Sequence, residues 1–144
     1  MTSTAAWSAL LRVHAALVPV LDAELQAAHN LPLTWYDVLL ELNAAPEKQL
    51  TMSQLGKVAV VSRSRVSRVV DELVQAGLVE RVPNPADRRS AFARITPAGR
   101  ARLRAAAPTY LAGIENHFTR HLTEREAATI ATALEKVLKA RAGT

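Results

Sequence analysis

The 144-residue chain has the length of one domain, and its hydrophobic content of 49% is typical of a folded globular protein. It contains no cysteine, which excludes a disulfide framework, a zinc–thiolate site and a thiol nucleophile. No apolar run reaches the ~18–20 residues of a membrane span and no secretory signal pattern opens the chain, so we expect a cytoplasmic protein without a membrane partner.

The net charge of +5 is unevenly distributed. Residues 57–104 contain eleven basic and four acidic side chains, whereas the two flanking segments together contain seven basic and nine acidic ones. Repulsion among clustered cations destabilises a fold. The distribution therefore favours a polyanionic partner over a merely solvated basic surface.

Apolar side chains recur at helical spacing over residues 5–29, which predicts a first helix. Pro19 lies inside this pattern and is expected either to kink the helix or to divide it. A second helix is predicted to run from Thr34, with Asp37 as its capping-box partner, to about Asn43.

Residues 45–49 read as a loop between the second helix and the third. The pair Thr51 and Gln54 predicts a capping box at the start of a short helix over residues 52–59. A three-residue turn then separates this helix from the next one.

Ser62 is expected to cap a helix over residues 63–76, which Gly77 ends as a left-handed C′ residue. Two short β-prone runs, residues 78–82 and 90–96, flank a turn and predict an antiparallel hairpin. Two helices joined by a tight turn and followed by a hairpin make a winged helix-turn-helix.

Thr96 and Pro97 supply the N-cap and first-turn proline of a long helix, expected to bend at Pro108. A capping box of Thr123 and Glu126 begins the last helix. These two helices are expected to cover about residues 97–120 and 124–141. The predicted fold class is mainly α with a small β-hairpin wing.

The helix over residues 63–76 has two distinct faces when its residues are placed about 100° apart. The side expected to face the core carries Val66, Val69, Val70, Leu73 and Val74. The opposite side carries Ser64, Ser67, Arg68, Asp71 and Gln75, with Arg63 and Arg65 near the two boundaries.

Small hydroxyls interleaved with arginines at the start of a helix suit the DNA major groove, because arginine bonds guanine in a bidentate manner. The positive end of the helix dipole also favours a phosphate there. The alternative is an amphipathic surface helix whose arginines pair with Asp71 and Glu72 one turn later. We favour the first interpretation, since three arginines in six residues outnumber those two acids.

The predicted hairpin carries Arg88 and Arg89 at its tip. Beside a recognition helix, such a wing lies over the minor groove, where we expect Arg89 to insert and Arg88 to contact a phosphate. Asp87 is expected to hold Arg89, or Arg81 at the base of the wing, by a charge-assisted bond. Alternatively, Asp87 and Asn84 only cap the turn.

These residues resemble the multiple antibiotic resistance regulator (MarR) family. The matching motifs are Ser67-Arg68, Val69-Val70-Asp71, Leu73, Gly77-Leu78-Val79, Asp87-Arg88-Arg89 and Thr96-Pro97-Ala98-Gly99. The order of helices also agrees, so the resemblance covers nearly the whole chain. It implies a single domain over residues 1–144, with a winged helix-turn-helix lobe at about 34–97 and dimerisation helices at about 5–30 and 98–142.

The resemblance further implies a homodimeric transcription factor that binds a palindromic operator and is released by a small molecule. The apolar terminal segments fit a dimer, although a monomer with these helices packed on its own core is the alternative. The residues expected to contact DNA are Ser53, Gln54, Ser62, Arg63, Ser64, Arg65, Ser67, Arg68, Arg88 and Arg89.

The expected ligand pocket is lined by Trp7, Leu11, His14, Trp35 and Asp37, with the tryptophans as core fillers in the alternative interpretation. Trp7, Asp37 and Arg63 resemble the urate-responsive branch of the family, which suggests a phenolic or urate-like effector. The sequence departs from that branch at Arg65, where a small residue is more usual.

His117 and His121 stand four residues apart, a spacing that can bind a metal, but no third ligand is evident and ordinary histidines are favoured. The sequence contains no catalytic or nucleotide-binding motif, so we expect neither enzyme activity nor a cofactor. Two other functions remain open: a constitutive or architectural DNA-binding protein, and a helical module whose basic face binds an acidic protein.

Overall fold

The computed structural model describes residues 4–142, which form six α-helices and a three-stranded antiparallel sheet. Short 3-10 turns lie at Pro46–Lys48 and Thr119–His121. The elements, in chain order, are α1 (Thr4–His29), α2 (Leu33–Ala44), β1 (Gln49–Thr51), α3 (Met52–Val58), α4 (Arg63–Gln75), β2 (Val79–Val82), β3 (Phe92–Ile95), α5 (Pro97–His117) and α6 (Glu124–Ala142). The predicted fold class is confirmed.

Helix α1 runs without interruption through Pro19, so the division of this segment into two helices does not occur. Helix α5 likewise contains Pro108 and ends at His117, three residues earlier than predicted. At the C-terminal end of α1, Arg102 of α5 donates to the carbonyls of His29 and Asn30. This contact satisfies helix-end carbonyls and fixes the α1–α5 packing.

The capping box predicted at Thr34 is wrong. Helix α2 begins at Leu33 after Pro32, which cannot cap it with a side chain. Instead, the backbone N–H of Leu33 donates to Asp22 Oδ1 of α1 at 2.8 Å. Asp37 accepts from the backbone N–H of Val60, 23 residues further along, at 2.7 Å. Both carboxylates therefore join separate elements rather than capping locally.

The segment predicted as a loop over residues 45–49 contains a 3-10 turn and the start of β1. Strand β1 pairs with β3, which also pairs with β2, so the predicted hairpin is confirmed and gains a third strand. A strand of three residues is too short to show an alternating pattern in sequence. Its register places Leu50 opposite Ala93.

The other helix ends follow their local sequence signals. Capping boxes form between Thr51 and Gln54 and between Thr123 and Glu126. The backbone and side-chain hydrogen bonds from Thr123 hold the pKa of Glu126 below its ordinary value. Gly77 has φ +77°, and the amides of residues 77 and 78 bond back to α4 in a Schellman arrangement. Ser62 occupies the N-cap position of α4 but makes no side-chain capping bond.

The core lies beneath the helix-turn-helix. Its buried side chains come mainly from α2, from the inner face of α4 and from the sheet, and include Val38, Leu39, Leu42, Leu55, Val70, Leu73, Val79 and Ile95. By contrast, α1 buries only Leu25, and α6 buries no residue within the described chain. Helix α4 and the sheet are thus supported by a packed core, while α1 and α6 bury almost none of their side chains in it.

Helix α1 is long and apolar enough to cross a membrane by length and composition alone, a property that the sequence interpretation missed. Only 6% of its most apolar window is buried within the described chain. The exposed apolar side chains of the two terminal helices are Trp7, Leu10, Leu11, Val13 and Val20 on α1, and Ile130, Leu134, Val137 and Leu138 on α6. Residues 4–142 leave these faces uncovered.

Candidate nucleic-acid interface

Helix α4 presents the two faces predicted from its sequence. Four apolar residues, Val66, Val69, Val70 and Leu73, are buried against the core. The serines and arginines of the opposite face are all exposed, namely Ser62, Arg63, Ser64, Arg65, Ser67 and Arg68. The N-terminal half of this helix is therefore free to approach a ligand as large as a DNA duplex.

Arg63 and Arg65 leave the start of α4 on different sides. Arg63 lines a shallow depression of about 290 Å³ between α3 and α4, together with Ser53 and Ser67. Its aliphatic stem passes over Gly56, where an added Cβ would lie 3.3 Å from Arg63 Cγ. Arg65 instead lines a cavity formed with α1 and α2. Arg63 and Arg65, predicted to lie at the two boundaries between the apolar and exposed faces of α4, thus line two different surfaces, one next to α3 and one next to α1 and α2.

Residues Ser53 and Gln54 of α3 are exposed, as DNA contacts must be. The side-chain oxygen of Gln54 accepts from the backbone N–H of Thr51 at 2.9 Å, completing the capping box. Its amide NH₂ group donates to no other side chain or carbonyl within residues 4–142 and can still donate to a phosphate. Gln54 therefore combines a structural role with a free donor.

The wing is fixed to α4 by an ion pair between Arg81 of β2 and Asp71. A second pair, Arg94 with Glu80, joins β3 to β2, and the two residues stand opposite each other in the strand register. Arg81 is thus held by the recognition helix and not by Asp87. That part of the prediction for Asp87 is wrong.

At the wing tip, Asn84 Oδ1 accepts from the amide of Ala86 and Asp87 Oδ1 accepts from the amide of Arg89, each at 3.0 Å. These bonds are side-chain caps of consecutive turns. Asp87 therefore shapes the backbone that carries Arg89 and does not hold its guanidinium, in agreement with the alternative interpretation. Arg88 and Arg89 are exposed, and neither forms an ion pair within residues 4–142.

The acids expected to neutralise α4 have other partners. Asp71 pairs with Arg81, and Glu72 accepts from Trp35 Nε1 at 3.0 Å. The interpretation in which the arginines of α4 pair with these two acids is therefore wrong. Within the described residues, the recognition helix and wing tip carry five exposed arginines without ion pairs: Arg63, Arg65, Arg68, Arg88 and Arg89.

Comparison with known proteins agrees with this geometry. A family model described as MarR family matches residues 29–90. The multiple antibiotic resistance protein MarR of Salmonella typhimurium is 30% identical over 109 residues, covering 76% of this chain and 74% of that protein. Its counterpart from Escherichia coli is 35% identical over 89 residues, 62% of each chain. The chain belongs to the MarR family.

Solved structures of MarR-family transcriptional regulators superpose on nearly the whole chain. AbsC from Streptomyces coelicolor gives a TM-score of 0.85 at 29% identity, covering 100% of this chain and 98% of AbsC. Sco3205 from the same organism, solved in complex with DNA, gives 0.86 at 28% identity and covers 97% and 92%. A mutant of E. coli MarR complexed with operator DNA gives 0.78 at 28% identity, covering 91% of each chain.

A cavity of about 570 Å³ separates the helix-turn-helix of this MarR-family chain from α1 and α2. Of the predicted pocket residues, His14 and Asp37 line it. Trp35 lies elsewhere, bonded to Glu72, while Trp7 and Leu11 are 61% and 50% exposed on α1. The lining residues that the sequence interpretation missed are Val18, Pro19, Asp22, Gln26, Pro32, Leu33, Thr34, Val60, Val61 and Ser62, together with Arg65.

Asp37 connects this cavity to the turn between α3 and α4. Burial raises the pKa of the Asp37 carboxyl above its ordinary value. Hydrogen bonds from the backbone N–H groups of Val60 and Val61 lower the pKa, but their effect is smaller than that of burial. Its bond to Val60 holds the residues just before α4. The position of the recognition helix therefore depends on a side chain that also lines the cavity.

His117 and His29 each form a hydrogen bond with a different side chain. His117 Nε2 lies 2.7 Å from Glu24 Oε2, which joins α5 to α1. His29 bonds to Thr109 Oγ1 at 2.8 Å. No group of three histidine, aspartate or glutamate residues with metal-binding geometry occurs within residues 4–142.

Proposed function

We propose that this MarR-family regulator is a homodimeric repressor that occupies a palindromic operator and is released by a small-molecule effector. The observation that carries the proposal is the set of five exposed arginines without ion pairs on α4 and the wing tip. Cations held on a rigid scaffold without local counter-ions are suited to a polyanion. Sco3205 and a mutant of E. coli MarR, which share this fold, were solved in complex with DNA, which supports a DNA-binding role for this chain.

The two surfaces have different tasks in this proposal. Side chains near the start of α4, namely Ser64, Arg65, Ser67 and Arg68, read base edges in the major groove. Arg89 enters the minor groove from the wing. The phosphate contacts that position the protein come from Ser53, Gln54, Ser62, Arg63 and Arg88. Arg81 and Asp71 fix the angle between helix and wing.

A second copy of the chain covers the exposed apolar faces of α1 and α6 in the proposed dimer. Groups of exposed apolar side chains on a protein surface mark association sites. A two-fold axis places the two recognition helices about 34 Å apart, one turn of DNA, which requires a palindromic operator. In this division, residues 34–97 bind DNA and the segments around 5–30 and 98–142 form the dimer.

The effector site is the cavity between α1, α2 and α4. Its volume of about 570 Å³ is in the range of small-molecule pockets. A ligand that binds only the arrangement with wrongly placed recognition helices shifts the population away from the DNA-bound state. The regulator acts on DNA in the cytoplasm, without enzyme activity or a resident cofactor.

Selection of bound duplexes from a random DNA pool, at near-physiological salt, tests the proposal. Enrichment of a palindrome with half-site centres about ten base pairs apart is expected of a dimeric, sequence-reading regulator. Binding without an enriched motif, which weakens steeply as salt rises, would contradict it and would favour a module that binds acidic partners.

Replacing Arg89 with alanine is expected to weaken operator binding by about 1–3 kcal/mol, or roughly 5- to 160-fold, because the minor-groove contact is lost. Arg88→Ala is the matched control, since it removes one exposed wing arginine that contacts only a phosphate. We expect Arg88→Ala to weaken operator and random DNA alike, and Arg89→Ala to lower mainly the preference for the operator. Equal affinities of wild type and Arg89→Ala in a fluorescence-anisotropy titration would contradict the wing assignment.

A further inference from the structure

Two acids of α4 lie within about one helical turn of Arg68. Asp71 follows it by three residues and Glu72 by four, which are the spacings at which two side chains of one helix can form an ion pair. Arg65, Arg68 and Glu72 also follow one stripe of the helix, because residues three and four apart lie above one another. Without other partners, these acids would neutralise arginines that are proposed to read DNA.

Neither acid pairs with Arg68, because each one is bound by a different element. Asp71 forms an ion pair with Arg81 of the wing. Glu72 Oε1 accepts from Nε1 of Trp35 on α2 at 3.0 Å, across 37 positions of the sequence. Arg68 is exposed and forms no ion pair within the part of the chain that the structure describes. Two contacts from outside α4 therefore leave the Arg68 guanidinium free.

The indole of Trp35 is a fixed hydrogen-bond donor. Trp35 lies in the first turn of α2, and its half-buried ring packs against the core. The ring is already ordered by this packing, so binding Glu72 costs it little conformational entropy. An exposed ion pair between Arg68 and Glu72 would instead order two long, mobile side chains for a small gain. The bond to the indole therefore competes well with that ion pair.

We propose that Trp35 is a positioning residue for DNA recognition, whose indole N–H holds the Glu72 carboxylate away from Arg68 and so keeps that guanidinium available to DNA. The inference rests on the proposed function, because it concerns the same DNA-binding surface. Trp35 itself touches no DNA and acts through Glu72. When the indole N–H is removed, Glu72 turns to Arg68, and DNA binding must first break that ion pair.

Trp35→Phe tests this role, since it removes the N–H and keeps an aromatic ring against the core. Breaking one ion pair between residues four apart costs roughly 1.4- to 2.3-fold in affinity, so a dimer with two recognition helices is expected to lose about two- to fivefold. The slope of log affinity against log salt is expected to become shallower by up to about two, because each paired Arg68 displaces fewer DNA counter-ions. Anisotropy titrations of the selected palindrome at several salt concentrations measure both quantities.

Glu72→Gln is the matched background, because glutamine still accepts from the indole but has no charge with which to pair Arg68. In this background, Trp35→Phe is expected to leave operator affinity and the salt slope unchanged. Lost packing or a tilted α4 would instead cause the same loss in both backgrounds, so the double-mutant cycle separates the two roles. Circular dichroism checks that each variant is folded.

If Trp35→Phe does not fold, two exposed changes at Glu72 replace it. Glu72→Asp keeps the charge but is one methylene too short for the indole, and Glu72→Ala loses the bond and the charge together. Glu72→Asp is expected to bind the operator two- to fivefold more weakly than Glu72→Ala, because only aspartate can still pair with Arg68.

The proposal is overturned if folded Trp35→Phe binds the operator with the affinity of wild type, or if Trp35→Phe causes the same loss in the Glu72→Gln background. Equal operator affinities of Glu72→Asp and Glu72→Ala would overturn it as well. Failure of the proposed function differs from these results, since wild type would then select no operator from the random pool.

Discussion

A glutamate in place of Leu134 is expected to leave the monomer folded while abolishing the dimer and greatly weakening operator binding. Leu134 belongs to the apolar face of α6, a helix that buries no residue against the rest of the described chain. The fold of the protomer therefore does not depend on this side chain. In a dimer, however, the carboxylate would be buried without a partner, which costs several kcal/mol.

The loss of operator affinity follows from the loss of the second half-site. A monomer places only one recognition helix on DNA, so the operator complex loses the binding free energy that the second, linked recognition helix supplies. We expect operator affinity to fall by at least about a thousandfold, which corresponds to ~4 kcal/mol. Sedimentation velocity measures the oligomeric state, and anisotropy measures binding to the selected palindrome.

Thr132→Glu is the matched control, because Thr132 lies on the opposite, polar face of α6 beside Arg125 and Lys136. It introduces the same charge into the same helix and is expected to leave dimer and operator affinity unchanged. A Leu134→Glu protein that remains dimeric with full operator affinity would mean that another surface forms the dimer.

The candidate for such a surface is already visible between α1 and α5. A groove of about 230 Å³ there is almost entirely apolar and is lined by residues such as Leu10, Val13, Leu17 and Phe118. His117, bonded to Glu24, lies among the same lining residues. Because α1 leaves most of its apolar surface exposed, a partner helix seated in this groove would bury side chains that the protomer cannot bury alone.

Sequence alone predicts those elements whose causes are local. The capping boxes at Thr51 and Thr123 and the left-handed Gly77 each depend on side chains within four residues, and all three occur as predicted. The apolar face of α4 is equally local, since helical periodicity determines which side chains share it. Those signals suffice for the helix-turn-helix and for the hairpin.

The errors arise where a residue bonds to a distant element. Asp37 fits a capping box by spacing but bonds to Val60 across 23 positions, and Asp87 shapes the wing turn while Arg81 pairs with Asp71 on α4. Trp35 donates to Glu72, 37 residues away, and therefore does not line the cavity in which it was expected. The cavity itself is formed by three helices, and no spacing along one segment encodes it.

Gly99 occupies a position where the chain has no room for a side chain. A Cβ built on it lies 2.2 Å from the carbonyl oxygen of Leu78 and 2.8 Å from Ile95 Cγ1. The Leu78 oxygen also accepts from the amide of Thr96, whose hydroxyl caps α5 by accepting from Gly99. The start of α5 is therefore joined closely to the end of α4 and to the sheet.

Gly99→Ala is expected to destabilise the fold by about 3 kcal/mol, because relieving an overlap with backbone requires moving α5 away from the wing. Gly56→Ala is the matched control: it is also a helical glycine, but its Cβ meets only the flexible stem of Arg63 at 3.3 Å. Both changes gain helix propensity of up to about 1 kcal/mol, so their difference isolates the overlap. The midpoint of denaturant unfolding measures this difference in stability. Equal midpoints for the two variants would show that α5 can shift without cost and would contradict a rigid junction between the wing and α5.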